Sequence, residues 1–281
     1  MLSYRHAFHA GNFADVLKHL VLCRILAYLT QKPGALCYID THSGAGGYDL
    51  TGAPAMKTGE YRHGIELLWQ RDDLPASIAS YRDLVARFNP QPTLKYYPGS
   101  PWFAQQLLRP QDRLELCELH STEFPLLQRQ FAPDRRIHCH FEDGFKKSMA
   151  LVPPREKRGL VLVDPSYEVK DDYRRVVKQL QELHKRFATG VYALWYPIID
   201  RHRIETLETS LGKTGVPRID LYEISINDDH RQHGMTGAGM IVINPPWRLR
   251  EEIDEALAFL TPLFGRDSQP NFRTRELAGE K

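Results

Sequence analysis

Cysteine is scarce in this sequence, and long apolar runs are missing from it. Only four cysteines occur among 281 residues, and none of them forms a C-x-x-C pair. This pattern indicates neither a disulfide framework nor a zinc site, and it fits a reducing compartment. No apolar run approaches the ~20 residues of a membrane-spanning helix, and the start, MLSYRHAFHAGN, lacks the apolar centre of a signal peptide. We therefore expect a soluble, cytoplasmic protein that binds neither membrane nor metal.

An excess of one charge is also lacking. Lysine and arginine number 37 against 35 acidic residues, which gives a formal net charge of +2. Such a balance does not by itself indicate a nucleic-acid-binding protein, although it is compatible with a local basic patch. The hydrophobic content of 42% is enough for one sizeable core, or for a core domain that carries an insertion.

Seven short apolar runs predict strands, and helical material separates most of them. The runs are residues 35–41, 113–119, 136–142, 159–165, 190–197, 218–226 and 238–245. Residues 12–30 predict a helix that Asn12 caps and whose apolar side chains fall on one face. Residues 171–187 and 200–213 also have helical periodicity. Strands that alternate with helices predict an α/β fold with a mostly parallel sheet.

Two connections depart from a plain doubly wound sheet. Residues 227–237 join the last two strands without helical periodicity, so we expect an antiparallel hairpin there. A parallel sheet closed by an antiparallel seventh strand is the layout of class I, Rossmann-like methyltransferases. Residues 50–98 are too long for a simple connection. They predict a small helical insertion subdomain, with 1–49 and 99–281 forming the main domain, and the polar tail after Arg266 is expected to be loose.

A glycine turn follows the first predicted strand. Asp40, Gly44 and Gly46 form the pattern D-x-x-x-G-x-G, in which glycine lets the backbone turn sharply and approach a ligand. The dinucleotide fingerprint requires a third glycine where this chain has Asp49, which argues against NAD. An ordinary tight turn is the alternative interpretation of this pattern.

The next two strands also end in polar residues. The second ends at Glu118, and an acid at this position commonly binds ribose hydroxyls. The third ends at Asp143-Gly144, where a carboxylate can accept a hydrogen bond from an adenine amine. Either acid alone is more often a loop or capping residue. Three such strand ends at one edge of a sheet predict a nucleoside-shaped site, for which S-adenosylmethionine is the best candidate.

Two turns compete for the catalytic role, namely Asp164-Pro165-Ser166-Tyr167 and Asn244-Pro245-Pro246-Trp247. The pattern Asp/Asn-Pro-Pro-aromatic is typical of methyltransferases that act on exocyclic or planar amide nitrogens. Two acceptors, the Asp164 side chain and the Pro165 carbonyl, can bind both hydrogens of an adenine amine and aim its lone pair at a methyl donor. Stacking of Tyr167 on the extruded base is worth ~1–3 kcal/mol.

Position favours the first turn over the second. Asp164 ends the fourth predicted strand, beside the cofactor strand, whereas Asn244 ends the last one. We therefore predict that Asp164, Pro165 and Tyr167 form the catalytic turn and that the Asn244 turn terminates a strand. Ser166 departs from the motif, because it keeps both acceptors and loses one ring that stiffens the turn.

Several stretches of this chain closely resemble one known family over essentially the full length. They are SYRHAFHAGNFADVLKH, IDTHSGAGGYDL, YPGSP, CELH, EDG and DPSYE. The family is RlmJ, the bacterial 23S ribosomal RNA adenine-N6 methyltransferases. The resemblance implies methylation of one adenine amine with S-adenosylmethionine, on 23S ribosomal RNA that is free or partly assembled, by a monomer.

By motif, the resemblance also assigns residues. It makes Asp164 the catalytic acceptor and puts Tyr4 and Tyr167 against the RNA. It places at the cofactor His19, His42, Ser100, Glu118, Asp143, Gly144 and Asp164. The glycine turn adds Gly44 and Gly46 to this predicted set. From the residues alone, the polar stripe of Asp15, Lys18 and His19 predicts a solvated helix face, and Ser100 predicts a helix cap.

Other acceptors and another class of function also fit the sequence. Adenine in DNA and a protein glutamine offer similar nitrogens. A non-catalytic nucleic-acid-binding module on a decayed methyltransferase fold is the alternative for which Ser166 is the hint. Transfer of labelled methyl to RNA, DNA and protein fractions distinguishes these possibilities.

Overall fold

A computed structural model describes residues 4–169, 171–227, 234–266 and 270–280. Its strands are β1 (Cys37–Asp40), β2 (Gly47–Asp49), β3 (Tyr96–Pro98), β4 (Arg113–Cys117), β5 (Ile137–His140), β6 (Gly159–Val163), β7 (Val191–Ile198), β8 (Ile219–Ser225), β9 (Gly237–Ile243) and β10 (Asn271–Ala278). Its α-helices are α1 (Phe13–Leu29), α2 (Ala53–Thr58), α3 (Glu66–Trp69), α4 (Ala76–Arg87), α5 (Ser100–Leu107), α6 (Phe124–Phe131), α7 (Gly144–Leu151), α8 (Asp172–Arg186), α9 (Arg201–Gly212) and α10 (Leu249–Phe264). Short 3₁₀ turns cover His6–Phe8 and Glu60–His63.

The central sheet has the order β10-β8-β9-β7-β6-β1-β4-β5 in the described part of the chain. Five neighbouring strands run parallel, in the spatial order β7, β6, β1, β4 and β5. Strands β9, β8 and β10 extend the sheet by antiparallel pairing. The predicted α/β fold, its parallel sheet and the antiparallel hairpin of β8 and β9 are confirmed. Helices cover both faces, and the central strand β6 is accordingly apolar along its whole length and fully buried.

The sheet has eight strands, and the predicted count of seven is wrong. The tail that we expected to be loose forms β10, which pairs antiparallel with β8. Its alternating sequence, NFRTRELA, is too polar to indicate a buried strand. The reason lies in its partners: Arg273 reaches the buried carboxylates of Glu208 and Glu223, so charge pairing replaces apolar packing at this edge.

Residues 50–98 form helices α2–α4 and end in β3, which pairs with β2 in a separate two-stranded sheet. Tyr81 and Val85 of α4 belong to the same buried cluster as Leu20 of α1. The assignment of this segment as an insertion subdomain stays a prediction.

Helix α1 begins where the sequence predicts, since the Asn12 side chain accepts a hydrogen bond from the Asp15 amide at 2.9 Å. Its burial differs from the prediction of one apolar face. The helix packs between the sheet and helices α4, α5 and α10, and almost every position from Phe13 to Leu26 is buried. A helix enclosed on all sides must also bury its polar residues. Among the described residues, no helix has the length and apolarity needed to cross a membrane.

Candidate functional site

The carboxyl ends of the parallel strands open into a cavity of about 520 Å³, which the N-terminal segment and the start of α1 also line. Most predicted site residues contribute to its wall. They are Tyr4, His19, His42, Gly44, Ser100, Glu118, Asp143, Gly144, Asp164 and Pro165. Gly46 and Tyr167 lie outside the wall. Residues far apart in the sequence lie close together here because the carboxyl ends of the parallel strands lie at the same end of the sheet.

The glycine turn after β1 is held from the neighbouring strand. Gly44 has φ +59° and donates its amide hydrogen to Glu118 Oε2 at 2.8 Å. Gly46 has φ +84°, and a Cβ atom there would come within 2.6 Å of the Phe131 ring. Gly46 therefore allows the backbone to turn.

Glu118 follows β4 and is bound mainly by backbone. Besides Gly44, its carboxylate accepts the His120 amide at 2.6 Å. Burial raises the pKa of Glu118, and these two amide bonds oppose that rise. The side chain is thus fixed in orientation at the cavity wall.

Asp143 and Gly144 begin α7. Asp143 Oδ1 accepts the Phe145 amide at 2.9 Å as the helix cap, and Oδ2 pairs with Arg175 at 2.7 Å. The Arg175 guanidinium lies 4.1 Å from the centre of the Phe145 ring. A Cβ atom on Gly144 would lie 1.8 Å from the Thr41 carbonyl oxygen. Glycine is therefore required here by the close approach of two backbone segments.

Asp40 supports the floor of the site. It is fully buried and accepts hydrogen bonds from Tyr38 Oη and Ser100 Oγ, both at 2.7 Å. Burial raises the pKa of Asp40 to about 6. Ser100 is not the helix cap that its sequence context suggests, because Gly99 occupies that position and the Ser100 hydroxyl turns to Asp40. Enclosure lowers the pKa of His42 to about 4, so its ring is neutral at pH 7.

Asp164 ends a chain of buried charges at the cavity mouth. Its Oδ2 accepts a hydrogen bond from Lys18 Nζ at 2.7 Å, and Lys18 also pairs with Asp15 Oδ1 at 2.9 Å. Asp15 Oδ2 binds His6 Nε2 and the Gly11 amide, each at 2.9 Å. Burial opposes both charges, yet the two carboxylates raise the pKa of Lys18, while His6 and Lys18 lower that of Asp15. The ion pair therefore stays charged inside the protein.

The expectation that Asp15, Lys18 and His19 form a solvated face is wrong, since each is at most 4% exposed. Sequence reasoning missed Lys18 and Asp15 as site residues. The composition of α1 could have indicated their burial. Nearly all its other positions are apolar or small, so a buried helix would have to provide partners for these three polar residues.

Two aromatic rings lie close to Asp164, and they differ in what they face. Tyr167 has φ +54°, is 8% exposed, and donates its hydroxyl to the Trp195 carbonyl at 2.7 Å. Its ring packs 4.6 Å from that of Tyr173. Trp195 lines the cavity, and Lys18 Nζ lies 5.8 Å from the centre of its ring.

The N-terminal segment covers one side of the mouth. Tyr4 Oη contacts His6 Nδ1 at 2.9 Å, and the Tyr4 ring stacks on His9 at 5.6 Å between centroids. His9 binds Glu60 of residues 50–98, as does the Asn12 side chain. Burial raises the pKa of Tyr4, with the Lys18 charge opposing that rise.

The Asn244 turn lies at the opposite end of the strands from Asp164, because β9 runs antiparallel to β7. Asn244 has φ +54°, and its side-chain amide donates to the carbonyls of Ala188 and Gly190 at 2.8 and 2.7 Å. Trp247 is 75% exposed. This turn ties β9 to the start of β7 and shares no wall with the larger cavity.

No cluster of three or more histidine, cysteine or acidic side chains suited to a metal occurs in the described ranges. The described cavity wall includes hydrogen-bond donors and acceptors, together with the buried cation of Lys18.

Known proteins match this chain over most of its length. A family model described as RsmJ, "Ribosomal RNA large subunit methyltransferase D, RlmJ", matches residues 33–274. The ribosomal RNA large subunit methyltransferase J of Escherichia coli K12 is 49% identical over 260 residues, which cover 92% of this chain and 93% of that protein. The protein of the same name from Haemophilus influenzae is 48% identical over 262 residues, 93% of each chain.

Solved structures agree with the fold. A crystal structure from Legionella pneumophila superimposes with a TM-score of 0.89 at 39% identity, and covers 95% of this chain and 98% of that one. A probable spermidine synthase from Corynebacterium glutamicum shares the fold at 11% identity and a TM-score of 0.50, over 93% of this chain and 75% of that one. The similarity in sequence and in structure thus extends across the sheet, the cavity and residues 50–98, and this chain belongs to the RlmJ family of ribosomal RNA large subunit methyltransferases.

Proposed function

We propose that this protein transfers a methyl group from S-adenosylmethionine to the exocyclic N6 amine of one adenine in 23S ribosomal RNA. One observation carries the proposal. Asp164 directly follows the parallel strand β6, at the same end of the sheet as the acids and glycines that follow β1, β4 and β5, and its Oδ2 is held by the buried Lys18. An acceptor fixed next to a nucleoside-shaped site is what methylation of an amine requires.

The cavity residues fit S-adenosylmethionine by their chemistry. Glu118 offers oxygen atoms to ribose hydroxyls, and Asp143 offers an acceptor to an adenine amine. The buried His19 Nε2 atom has no hydrogen-bond partner among the described residues, which fits a polar ligand atom at this wall. His42, Gly44 and Ser100 complete the proposed cofactor set, with Gly46 holding the turn behind them. The cofactor supplies an electrophilic methyl group on a sulfonium.

Asp164 and Pro165 act on the amine. Lys18 holds Asp164 Oδ2, and Oδ1 accepts no hydrogen bond from the part of the chain that is described. Asp164 Oδ1 and the Pro165 carbonyl can therefore accept the two amine hydrogens and stabilise the positive charge that develops on the nitrogen. Loss of such a contact commonly costs ~2.7–4 kcal/mol in the transition state. Lys18 is a positioning residue, because it orients the carboxylate without reaching the amine.

An adenine must leave its stack to reach this acceptor. We propose that Tyr167 stacks on the extruded base and that Tyr4 covers it from the N-terminal segment. In its packed position, the Tyr167 ring contacts Tyr173 and lies outside the cavity wall, so stacking requires the turn to open. Trp195 presents a ring to the cavity without such a movement. Variants at both positions separate the two possibilities.

Three cations lie near residues of the cavity wall in the sequence, although the charged side chains of the wall itself are mostly acidic. Arg5, Lys57 and Arg62 are exposed, and none of the three forms an ion pair with a described residue. Lys57 lies 6.0 Å from the centre of the Phe8 ring. Hydrogen bonding of Thr58 to the Phe8 carbonyl fixes residues 50–98 against the N-terminal segment. Arg5 adjoins the lining residues Tyr4 and His6, and we propose that these three cations contact phosphates of the RNA.

The test uses purified protein and labelled S-adenosylmethionine, with ribosomal RNA, DNA and protein from cells that lack this protein as acceptors. The proposal predicts label in 23S ribosomal RNA and recovery of N6-methyladenosine after digestion to nucleosides. Label in DNA alone, or on another base or position, would contradict it. Binding of S-adenosylmethionine without transfer to any acceptor would instead support the non-catalytic alternative.

A further inference from the structure

Three buried polar groups form a chain that leads from residues 50–98 to the cavity. The hydroxyl of Tyr81, on α4, lies 2.8 Å from that of Tyr97, on β3. The Tyr97 hydroxyl lies 2.7 Å from Nδ1 of His19, on α1. Both tyrosines are fully buried and His19 is 1% exposed. The family resemblance placed His19 at the cofactor, and neither it nor the residues alone assigned a role to the two tyrosines.

Counting hydrogens fixes the direction of this chain. Tyr81 Oη has no described partner other than Tyr97 Oη, so its hydrogen is satisfied only if Tyr81 donates to Tyr97. The hydrogen of Tyr97 then has no described acceptor other than His19 Nδ1, so Tyr97 donates to that nitrogen. The reverse direction would leave a buried hydroxyl hydrogen without an acceptor, at a cost of ~1–3 kcal/mol.

This direction sets the state of the imidazole. If Nδ1 accepts, a neutral ring carries its hydrogen on Nε2. Burial, together with the Lys18 charge, lowers the pKa of His19 well below its usual value, so the ring is neutral. Nε2 is buried and has no described partner, and His19 belongs to the cavity wall. The hydrogen on His19 Nε2 is therefore free to be donated to an acceptor atom of a ligand.

We propose that Tyr97 and Tyr81 are positioning residues that hold His19 as the Nε2–H tautomer, which then donates to the carboxylate of the methionine end of S-adenosylmethionine. The proposal rests on the proposed function for the identity of the ligand. A neutral, preoriented N–H donor in a buried wall suits an anionic oxygen. It also links residues 50–98 to cofactor binding without direct contact.

The tautomer can be measured without any ligand. Nitrogen-15 labelled histidine gives distinct two-bond couplings for the two tautomers, and His19→Gln identifies the signal. The proposal predicts the Nε2–H form in the wild-type protein and a mixture in Tyr97→Phe. A wild-type Nδ1–H form would overturn the proposed direction of the chain.

Cofactor affinity tests the second half of the proposal by titration calorimetry. Tyr97→Phe is expected to weaken S-adenosylmethionine binding about fivefold, with a smaller loss in Tyr81→Phe. Neither variant should change the affinity for decarboxylated S-adenosylmethionine. Tyr192→Phe is the matched control, because this buried hydroxyl donates to the carbonyls of Leu183 and Phe187 instead.

The outcomes separate the two levels of the argument. Equal weakening of both ligands in Tyr97→Phe would show a general packing defect and overturn the carboxylate contact. No binding of S-adenosylmethionine to the wild-type protein would contradict the proposed function and the identity of the ligand, while the tautomer signal would still report the direction of the chain.

Discussion

Two turns of this protein share a pattern and differ in their surroundings. The turn at Asp164 and the turn at Asn244 each follow a fully buried strand, and each contains a non-glycine residue with φ +54°. Asp164 lies at the cavity and binds the buried Lys18. Asn244 lies at the opposite end of the strands, and its side-chain amide donates to two backbone carbonyls. Strand direction therefore places the Asp164 turn at the cavity and the Asn244 turn at the opposite end of the sheet.

The turn whose sequence matches the Asp/Asn-Pro-Pro-aromatic motif better is the weaker candidate for the catalytic turn. Asn244-Pro245-Pro246-Trp247 has both prolines of the motif, but its Asn side chain is consumed by hydrogen bonds and Trp247 points into solvent. Ser166 breaks the motif at the other turn, yet it lines the cavity beside Asp164.

Removing the acceptor should have the largest effect. We expect Asp164→Ala to lower the rate of methyl transfer by at least 10²–10³, as for other lost transition-state contacts. Asp164→Asn keeps one carbonyl oxygen and loses the negative charge, so its rate should fall between those of Ala and Asp. Cofactor affinity should change less than turnover in both variants, because the contact strengthens toward the transition state. A loss confined to cofactor affinity would contradict this role.

Tyr167 should come next, and two substitutions separate its ring from its hydroxyl. Tyr167→Ala removes a buried ring and the proposed stacking, so transfer should fall strongly, with ~3–5 kcal/mol lost in stability. Tyr167→Phe loses only the bond to the Trp195 carbonyl and should keep most of the activity. Rates per folded molecule at saturating cofactor are the measurement. If Trp195→Ala loses activity and a folded Tyr167→Ala does not, stacking belongs to Trp195.

Glu118→Ala should act through the cofactor. A charge-assisted hydrogen bond is worth ~1.5–3 kcal/mol, so we expect at least a tenfold loss in S-adenosylmethionine affinity. The variant also removes acceptors from the Gly44 and His120 amides, so Glu118→Gln, which keeps one oxygen, is the milder comparison. Unchanged affinity by calorimetry would remove Glu118 from the proposed site.

Asn244→Ala should lower stability and leave transfer intact. The substitution deletes two hydrogen bonds, and alanine adopts positive φ less readily than asparagine. We therefore expect the free energy of unfolding to fall by ~1–3 kcal/mol. Chemical denaturation measures the loss, and single-turnover rates at low temperature measure activity in the folded fraction. A wild-type stability together with lost transfer would reverse the assignment of the two turns.

Trp247→Phe should have the smallest effect. The ring is 75% exposed and contacts Arg248, at 5.7 Å from the ring centre. Exposed substitutions of this kind usually change stability by less than ~0.5 kcal/mol. Methyl transfer and cofactor affinity should both equal those of the wild-type protein. Lost activity in a folded Trp247→Phe would mean that the wrong turn was chosen.

Sequence patterns predicted the sheet because its inner strands are continuous apolar runs, and they predicted the site edge because acids and glycines follow those runs. They failed where partners, and not periodicity, decide the structure. Arg273 of β10 pairs with buried carboxylates that no local pattern reveals. Lys18 is buried because α1 is enclosed on every side, which becomes visible only when the helices are assembled. The direction of the Tyr167 ring depends on Trp195 and Tyr173 in the same way.

Comparison of the two turns in one assay tests whether the Asp164 turn is the catalytic one. Single-turnover transfer from saturating S-adenosylmethionine to protein-free 23S ribosomal RNA would be measured for Asp164→Ala, Asp164→Asn and Asn244→Ala, each shown to be folded. We predict no measurable transfer with Asp164→Ala, partial transfer with Asp164→Asn, and a wild-type rate with Asn244→Ala. Wild-type transfer by Asp164→Ala would contradict the assignment of this turn as the catalytic site.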